Sequence, residues 1–308
     1  HAWNMTEVDY LTAQLHYVSD ADFLEDYFEE EYKESSIPDN FISVGHRNPY
    51  YTANLLARGR VNDFYTTVNR LPEASVDFLR QPIYETGFYY EGEVAAANLE
   101  KTYAEDAGQE DYSTVRVDSP HGVYYPTKLD GWLTVIPRGI YHPTYYADTL
   151  VETTTESTRT LILTNGAGVA YSVLETNETT LFEYGPAELR NAFELGVETS
   201  FKAFRVFGDE EFPKRHIVEP YANFTLAPEP SVLPDELPQF DDIDELDENN
   251  NVKVGMRHKF QTRREKGAYD LVDADFYTVI GPIEYLYYDV EWRPDDPWQF
   301  RLDGAAGV

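Results

Sequence analysis

Across 215–227 (RHIVEPYANFTLA) the side chains sort two by two. Arg215, Glu219, Asn223 and Thr225 fall on one face, with Ile217 and Tyr221 among them. Val218, Pro220, Ala222, Phe224 and Leu226 fall on the other. A period of two over this length predicts an extended strand with one polar and one apolar side. The chain then turns acidic and proline-rich over 228–251, and 252–260 (VKVGMRHKF) alternates again. A strand, a long polar loop and a returning strand form a unit that recurs with varying loop lengths. This predicts an antiparallel sheet with long loops on one side.

The same pattern can be followed from the start. Leu11, Ala13, Leu15 and Tyr17 alternate with polar residues, which predicts a strand. Phe23, Leu24, Tyr27 and Phe28 lie at helical spacing among carboxylates, so a short helix inside a loop is expected within 19–32. The stretch 35–48 reads as turn-like, with Pro38-Asp39-Asn40 and Asn48-Pro49. Tyr51, Ala53, Leu55, Ala57, Gly59 and Val61 share one side of the next strand. Arg70-Leu71-Pro72-Glu73 reads as a short turn. Strands are expected over 76–83, 88–99, 115–125 and 132–146, the last entered through Asp130-Gly131, a strong hairpin signal. The Thr- and Glu-rich 149–158 reads as a link, and Asn165-Gly166 as a hairpin candidate. The longest alternating run is 189–207, in which Phe193, Leu195, Val197, Phe201 and Ala203 oppose Arg190, Glu194, Glu198, Ser200 and Lys202. Further strands are expected over 270–279, 285–292 and from Trp298.

Composition narrows the class. The chain has 308 residues, 15% of them aromatic, too many for a disordered chain despite a formal charge of -32. Such an acidic balance argues against a nucleic-acid partner, whose phosphates would be repelled. There are no cysteines, hence no disulfide framework, thiolate metal site or cysteine nucleophile. The start His1-Ala2-Trp3-Asn4 does not read as a signal peptide. No run of apolar residues is long enough for a transmembrane helix, but barrel strands alternate and escape that test. The reading gives roughly a dozen strands, most longer than the ~5–6 residues usual in proteins and matching the ~9–11 that cross a bilayer. Paired aromatics stand near many strand ends, such as Tyr50-Tyr51, Tyr89-Tyr90, Tyr124-Tyr125, Tyr145-Tyr146 and Tyr287-Tyr288. Interfacial girdles have this form, although tyrosine is also a good strand former. The expected fold is all-β: an antiparallel transmembrane β-barrel, present as a partial barrel with long loops. No domain boundary or fixed-period repeat interrupts 1–308.

Four stretches carry a resemblance: 17–32 (YVSDADFLEDYFEEEY), 60–80 (RVNDFYTTVNRLPEASVDFLR), 215–230 (RHIVEPYANFTLAPEP) and 240–264. In this order they resemble the LptD (OstA) family, outer-membrane proteins that place lipopolysaccharide in the outer leaflet. The family pattern has an "SD..F..D" strand-end segment, an "LPE" segment, and an "EP...Y.Y.P" strand before a long acidic loop. The resemblance implies an interior segment of a very large barrel in the Gram-negative outer membrane. The periplasmic N-terminal domain and the gate strands would lie outside it. Implied partners are lipopolysaccharide, an LptE-type lipoprotein plug, the periplasmic transport bridge through that N-terminal domain, and outer-membrane lipid. The implied function is lipopolysaccharide assembly and translocation without catalysis. The rival class is a soluble carbohydrate-binding or carbohydrate-active β protein, in which a second layer would cover the apolar strand faces.

No catalytic or metal constellation emerges, and no cofactor is expected. Glu91 and Glu93 share a strand face, as do Glu194 and Glu198, but with 56 acidic residues such pairs arise by chance. His216 and His258 stand isolated in separate strands. The acidic run 241–247 lacks the mid-loop glycine and terminal glutamate of an EF-hand, and reads as a solvated surface loop open to proteolysis. The candidate lumen-facing polar wall is Arg215, Glu219, Lys253, Arg257, Lys259 and Arg263. Candidate lipid-facing residues are Phe193, Leu195, Val197, Phe201, Phe224 and Leu226. The four cations of 253–263 are expected to pair with Asp273, Asp275 or Glu219 on neighbouring strands, or to meet an anionic saccharide.

Overall fold

The computed structural model describes residues 1–34, 36–105, 107–164, 170–208, 213–264, 267–280, 285–295 and 298–307. Its strands are β1 (Ala2–Asn4), β2 (Asp9–Gln14), β3 (Phe41–Arg47), β4 (Tyr51–Arg58), β5 (Thr67–Pro82), β6 (Tyr89–Thr102), β7 (Tyr112–Asp118), β8 (His121–Tyr124), β9 (Thr127–Leu129) and β10 (Leu133–Tyr146). They continue as β11 (Thr149–Thr164), β12 (Ala170–Gly185), β13 (Glu188–Ser200), β14 (Ala203–Phe207), β15 (Lys214–Ala227), β16 (Asn249–Arg264), β17 (Gly267–Ile280), β18 (Tyr285–Asp295) and β19 (Trp298–Gly307). Two short helices, α1 (Phe23–Tyr27) and α2 (Glu29–Glu34), sit in the β2–β3 loop. All strands but β11 and β12 join one 17-stranded sheet, and those two pair with each other as a separate hairpin.

Every pairing is antiparallel, and the sheet follows chain order except that β10 pairs with β13 across the inserted β11–β12 hairpin. The segments β7, β8 and β9 make one interrupted leg, which pairs with β10 along its length. Likewise β13 and β14 together flank β15. Among the described residues β1 pairs only with β2, and β19 only with β18, so the sheet does not close on itself. Strand direction alternates, which gathers the long connections at one rim: 15–40, 59–66, 103–111, the β11–β12 hairpin and 228–248. The turns at the other rim, such as 48–50 and 83–88, are short. The Asp130-Gly131 hairpin forms as its sequence predicts, with φ of 48° and 75°.

The two faces differ in kind. Residues directly opposite in an antiparallel pair share a face, so register sorts them. Leu195 faces Leu226 and Val197 faces Phe224, with Phe193 opposite Tyr141 on β10. The apolar face continues outward in both directions. It runs through Val254 and Met256, Phe276, Leu286 and Trp292 to Phe300 and Leu302 on one side. On the other it passes Val115 and Val94 to Leu55, Val44 and Ile42. All of these side chains are exposed, Leu195 by 60%. Among the described residues no element packs over them as a second layer. The opposite face is polar and holds the buried interior. Among the described residues the largest fully buried side chains are Arg190, Tyr146, Leu99, Thr144, Asp244 and Pro238, of which only Leu99 and Pro238 are wholly apolar. The hydrophobic core is small: Ala97, Leu99 and Phe240, with Val68 and Tyr112 against it.

Three local expectations are corrected. Arg70-Leu71-Pro72-Glu73 is no turn but lies inside β5, where the register slips between Arg70 and Glu73 and the Leu71-Pro72 peptide is cis. Proline donates no ladder hydrogen bond, and a bulge is where a sheet tolerates it. The stretch 35–48 ends in strand β3, because Phe41 to Arg47 pairs with both β2 and β4. The link 149–158 is part of β11, which pairs residue for residue with β12. The candidate turn at Asn165-Gly166 lies outside the described residues.

The register is directly testable because the chain has no cysteine. The double substitution Val197→Cys/Phe224→Cys places two thiols opposite each other on one face and is expected to form an intramolecular disulfide under mild oxidation. Val197→Cys/Thr225→Cys puts them on opposite faces and is expected to stay reduced. Non-reducing mass spectrometry reads the difference, and equal oxidation of the two pairs would reject the register.

Candidate functional site: a polar wall face closed by an internal loop

The polar faces of four strands converge on one place. On β5, β7, β10 and β13, alternation turns Arg70, Arg116, Thr144, Tyr146 and Arg190 to the same side, each between neighbours that face the other way. Over them folds the loop 228–248, which connects β15 to β16. Its start is tied to β13, where Ser231 donates its N–H to the Asn191 carbonyl (3.1 Å) and its Oγ accepts the Asn191 N–H (2.8 Å). A 3₁₀ turn (Pro234–Glu236) then redirects the chain inward. The Gln239 carbonyl accepts hydrogen bonds from Tyr112 Oη (2.7 Å) and Lys101 Nζ (3.2 Å). Phe240 follows, edge-on to Tyr112 and packed on Ala97 and Leu99.

Two aspartates complete the closure. Arg116 holds Asp241 with both guanidinium nitrogens, Nη1 to Oδ1 and Nη2 to Oδ2 at 2.7 Å each, a fork that matches a carboxylate. The same Nη1 reaches Asp244 Oδ1 at 2.7 Å, and Tyr146 Oη donates to that oxygen at 2.7 Å. Asp244 Oδ2 accepts the backbone N–H groups of Phe240 (2.7 Å) and Asp241 (3.1 Å). Arg70 bridges Asp241 Oδ2 (2.7 Å) and Glu73 (2.6 Å). Arg190 lies deepest, 0% exposed, with Nη2 on Thr144 Oγ1 (2.9 Å) and Nη1 near the Asp244 carbonyl (3.5 Å). The acidic run is therefore not a solvated surface loop. Its Asp241 and Asp244 carboxylates are neutralised by arginines that lie more than a hundred residues earlier in sequence.

Burial alone would raise the Asp241 carboxyl. The Arg116 hydrogen bonds and the charges of Arg116 and Arg70 outweigh it and hold the group below the ordinary aspartate value. A depressed folded value adds stability that is complete above the unfolded value and fades as pH falls through the folded one.

The residues singled out from sequence form a separate strip on β15 and β16, also on the polar face. Glu219 is opposite Arg257 and Arg257 opposite Asp275, with both ion pairs at 3.9 Å. Lys259 meets Asp273 (2.9 Å) and Asp270 (3.2 Å). Lys253 lies over the Tyr277 ring at 3.5 Å. Arg215 donates from Nε to Gln261 at 2.8 Å, and Arg263 stands exposed opposite Ala268. The expected cross-strand pairing is met at Arg257 and Lys259. The exposed apolar set Phe193, Leu195, Val197, Phe224 and Leu226 is on the reverse face, and Phe201 packs edge-on to Trp132.

Of the carboxylate pairs, Glu91 is held by Arg80 (2.7 and 3.0 Å) and Glu194 by Arg138 (2.6 Å), so both take part in the wall's own ion pairing. The two histidines are not isolated: His216 and His258 lie 3.0 Å apart, with His216 stacked on Phe260. Among the described residues no group of His, Cys, Asp or Glu could hold a metal ion.

Sequence reasoning missed Arg70, Arg116 and Tyr146 as site residues and placed Asp241 and Asp244 in solvent. The available signal was parity: Arg116 interrupts the apolar alternation of Val115 and Val117 on the polar side.

Two outcomes follow from the closure. Arg116→Met leaves the Asp244 carboxylate buried without its ion pair, and breaking a buried pair from one side costs about 3–5 kcal/mol. The loop is expected to undock, read as lost amide-exchange protection at Phe240 and Asp241. Acidification is expected to act the same way: protection persists at pH 5 and is lost as pH falls below about 4. Protection that vanished between pH 7 and 5 would point to a group other than Asp241.

No family model matches the chain, and neither does any curated protein. Among solved structures, a double mutant of the Serratia marcescens hemophore receptor HasR, in complex with its hemophore HasA and heme, aligns over 96% of this chain and 69% of its own. The identity is 10% and the TM-score 0.26, and a likeness that distant transfers neither fold nor function.

Proposed function

We propose that this chain is part of the wall of an outer-membrane β-barrel that takes part in placing lipopolysaccharide in the outer leaflet. The observation that carries the membrane reading is the inside-out distribution of side chains. A soluble domain of this size buries a large apolar core. Here the apolar residues of the long legs of the 17-stranded sheet stand exposed on one uncovered face among the described residues, while arginine, aspartate and threonine fill the buried one. Lipid is the solvent in which such a face is stable. A soluble carbohydrate-active β protein would need a second layer on that face.

The glycolipid reading rests on the ordered resemblance of 17–32, 60–80, 215–230 and 240–264 to the LptD family. In this reading the polar face lines a lumen that shields a saccharide, and the lipid portion leaves sideways into the bilayer. The long-loop rim faces outward and the short-turn rim the periplasm. An LptE-type lipoprotein plug and the periplasmic transport bridge are the partners the resemblance supplies.

Two measurements test the parts separately. Leu195→Arg places a cation on the apolar face, at a cost of roughly 2–4 kcal/mol near mid-bilayer. It is expected to abolish heat-modifiable gel mobility of the membrane-extracted full-length protein, whereas Glu198→Arg on the polar face leaves it. Equal effects would reject the membrane wall. Depletion of the full-length protein is expected to lower lipopolysaccharide at the surface of whole cells. An assembled barrel whose loss leaves surface lipopolysaccharide unchanged would keep the wall and remove the glycolipid role.

A further inference from the structure

Arginines accumulate where the loop 228–248 docks, in a chain whose net charge is -32. Arg70, Arg116 and Arg190 lie under the loop. Next to them, a cavity of about 410 Å³ at the long-loop rim is lined by Arg58 with its ion-pair partner Asp39 (2.9 Å), by Arg60 and Arg70, and by Phe240 of the loop itself. Among the described residues, the two buried side-chain polar atoms without a hydrogen-bond partner are both guanidinium nitrogens of this group, Nε of Arg58 and Nε of Arg190. Arg190 is 0% exposed and makes no ion pair with a carboxylate among the described residues. Its nearest wall acid is Asp118, reached through Thr144, which accepts from Arg190 Nη2 (2.9 Å) and donates to Asp118 Oδ1 (2.7 Å). A buried guanidinium with no direct carboxylate partner and an open donor is a costly arrangement unless an anion can reach it.

We infer that this arginine group is a binding site for a polyanionic ligand bearing clustered phosphate or carboxylate groups, and that Asp241 and Asp244 of the loop are its internal occupant. The geometry fits an oxyanion. Arg116 presents its two nitrogens as a fork, Tyr146 Oη donates beside it, and Arg70 completes a third side. Each of these donors is satisfied in the docked state by a loop carboxylate oxygen. When the loop leaves, Glu73 is the remaining ion-pair partner of the three arginines beneath it among the described residues. Among the described residues Arg70, Arg116 and Arg190 then have only Glu73 directly and Asp118 through Thr144 as acids in contact, and their donors are preset. Phosphate and carboxylate both suit bidentate arginine recognition. The arginine-lined cavity lets a ligand approach Arg70 before the loop moves. Ligand and loop therefore compete, and the loop keeps the site neutral when no ligand is present. The site follows from the docking geometry alone and survives a loss of the glycolipid reading.

The purified full chain can be titrated with tripolyphosphate, with citrate, and with sodium chloride at matched ionic strength. Amide exchange over 228–248 and calorimetric binding are measured together. Tripolyphosphate or citrate is expected to raise exchange at Phe240, Asp241 and Asp244 several-fold while sodium chloride does not, and the stronger of the two tells phosphate from carboxylate preference. The variant Asp241→Asn/Asp244→Asn is expected to bind the same probe at least about tenfold more tightly, since removing a competing occupant restores the intrinsic affinity. Arg116→Gln/Arg190→Gln is expected to abolish binding. An equal response to sodium chloride overturns the inference without any variant. So does an unchanged affinity in the Asp241→Asn/Asp244→Asn protein with its sheet intact by circular dichroism.

Discussion

A sheet satisfies its backbone hydrogen bonds within its own plane, so the surroundings of its two faces are decided by side chains alone. In this chain that constraint is met by strict sorting. A one-residue slip in any leg would carry its charges to the apolar face and its aromatic residues to the polar one. The slips that do occur are confined to bulges: at Leu56/Arg58 in the β4–β5 pair, at Arg70/Glu73 and Phe78/Gln81 in β5–β6, at Phe260/Gln261 in β16–β17 and at Trp292/Asp295 in β18–β19. The extra residue restores the face, as Arg70 opposite Leu99 and Glu73 opposite Ala97 illustrate.

Sorting concentrates charge, and concentrated charge has to be balanced. On β15 to β17 the balance is local: Glu219, Arg257 and Asp275 lie side by side, and Lys259 reaches two aspartates. On β5 to β13 the partners of Arg70 and Arg116 come largely from a distant loop, through Asp241 and Asp244. The loop is thus as much a part of the polar face as the strands are. Its acidic composition is complementary to that face, and Phe240 adds the apolar contact that fixes its depth.

Much of the wall could be read from sequence because period-two alternation is a local signal. The runs that became β6, β10, β13, β15, β16 and β17 show it over many residues, and Asp130-Gly131 marks its own turn. The start of β5 was hidden by Pro72, which normally signals a break, and β3 by the prolines and asparagines that flank a short alternating run. In β11 threonine and glutamate mask a strand that only its partner reveals. The closure over the polar face was not legible at all. Arg70 and Asp241 are 171 positions apart, and Arg116 and Asp244 are 128 apart. No periodicity links them, and an isolated run of aspartates reads as solvent-exposed.

That separation bears on how the molecule comes together. In the folded molecule the legs from β5 to β15 together set the distance between Arg70 and the root of the loop, so the contact between Arg70 and Asp241 depends on all of them. Loop-closure entropy rises only slowly with length, so the 171-residue separation itself adds little to the cost of that contact. A seated loop therefore reports that the intervening wall stands in the right register.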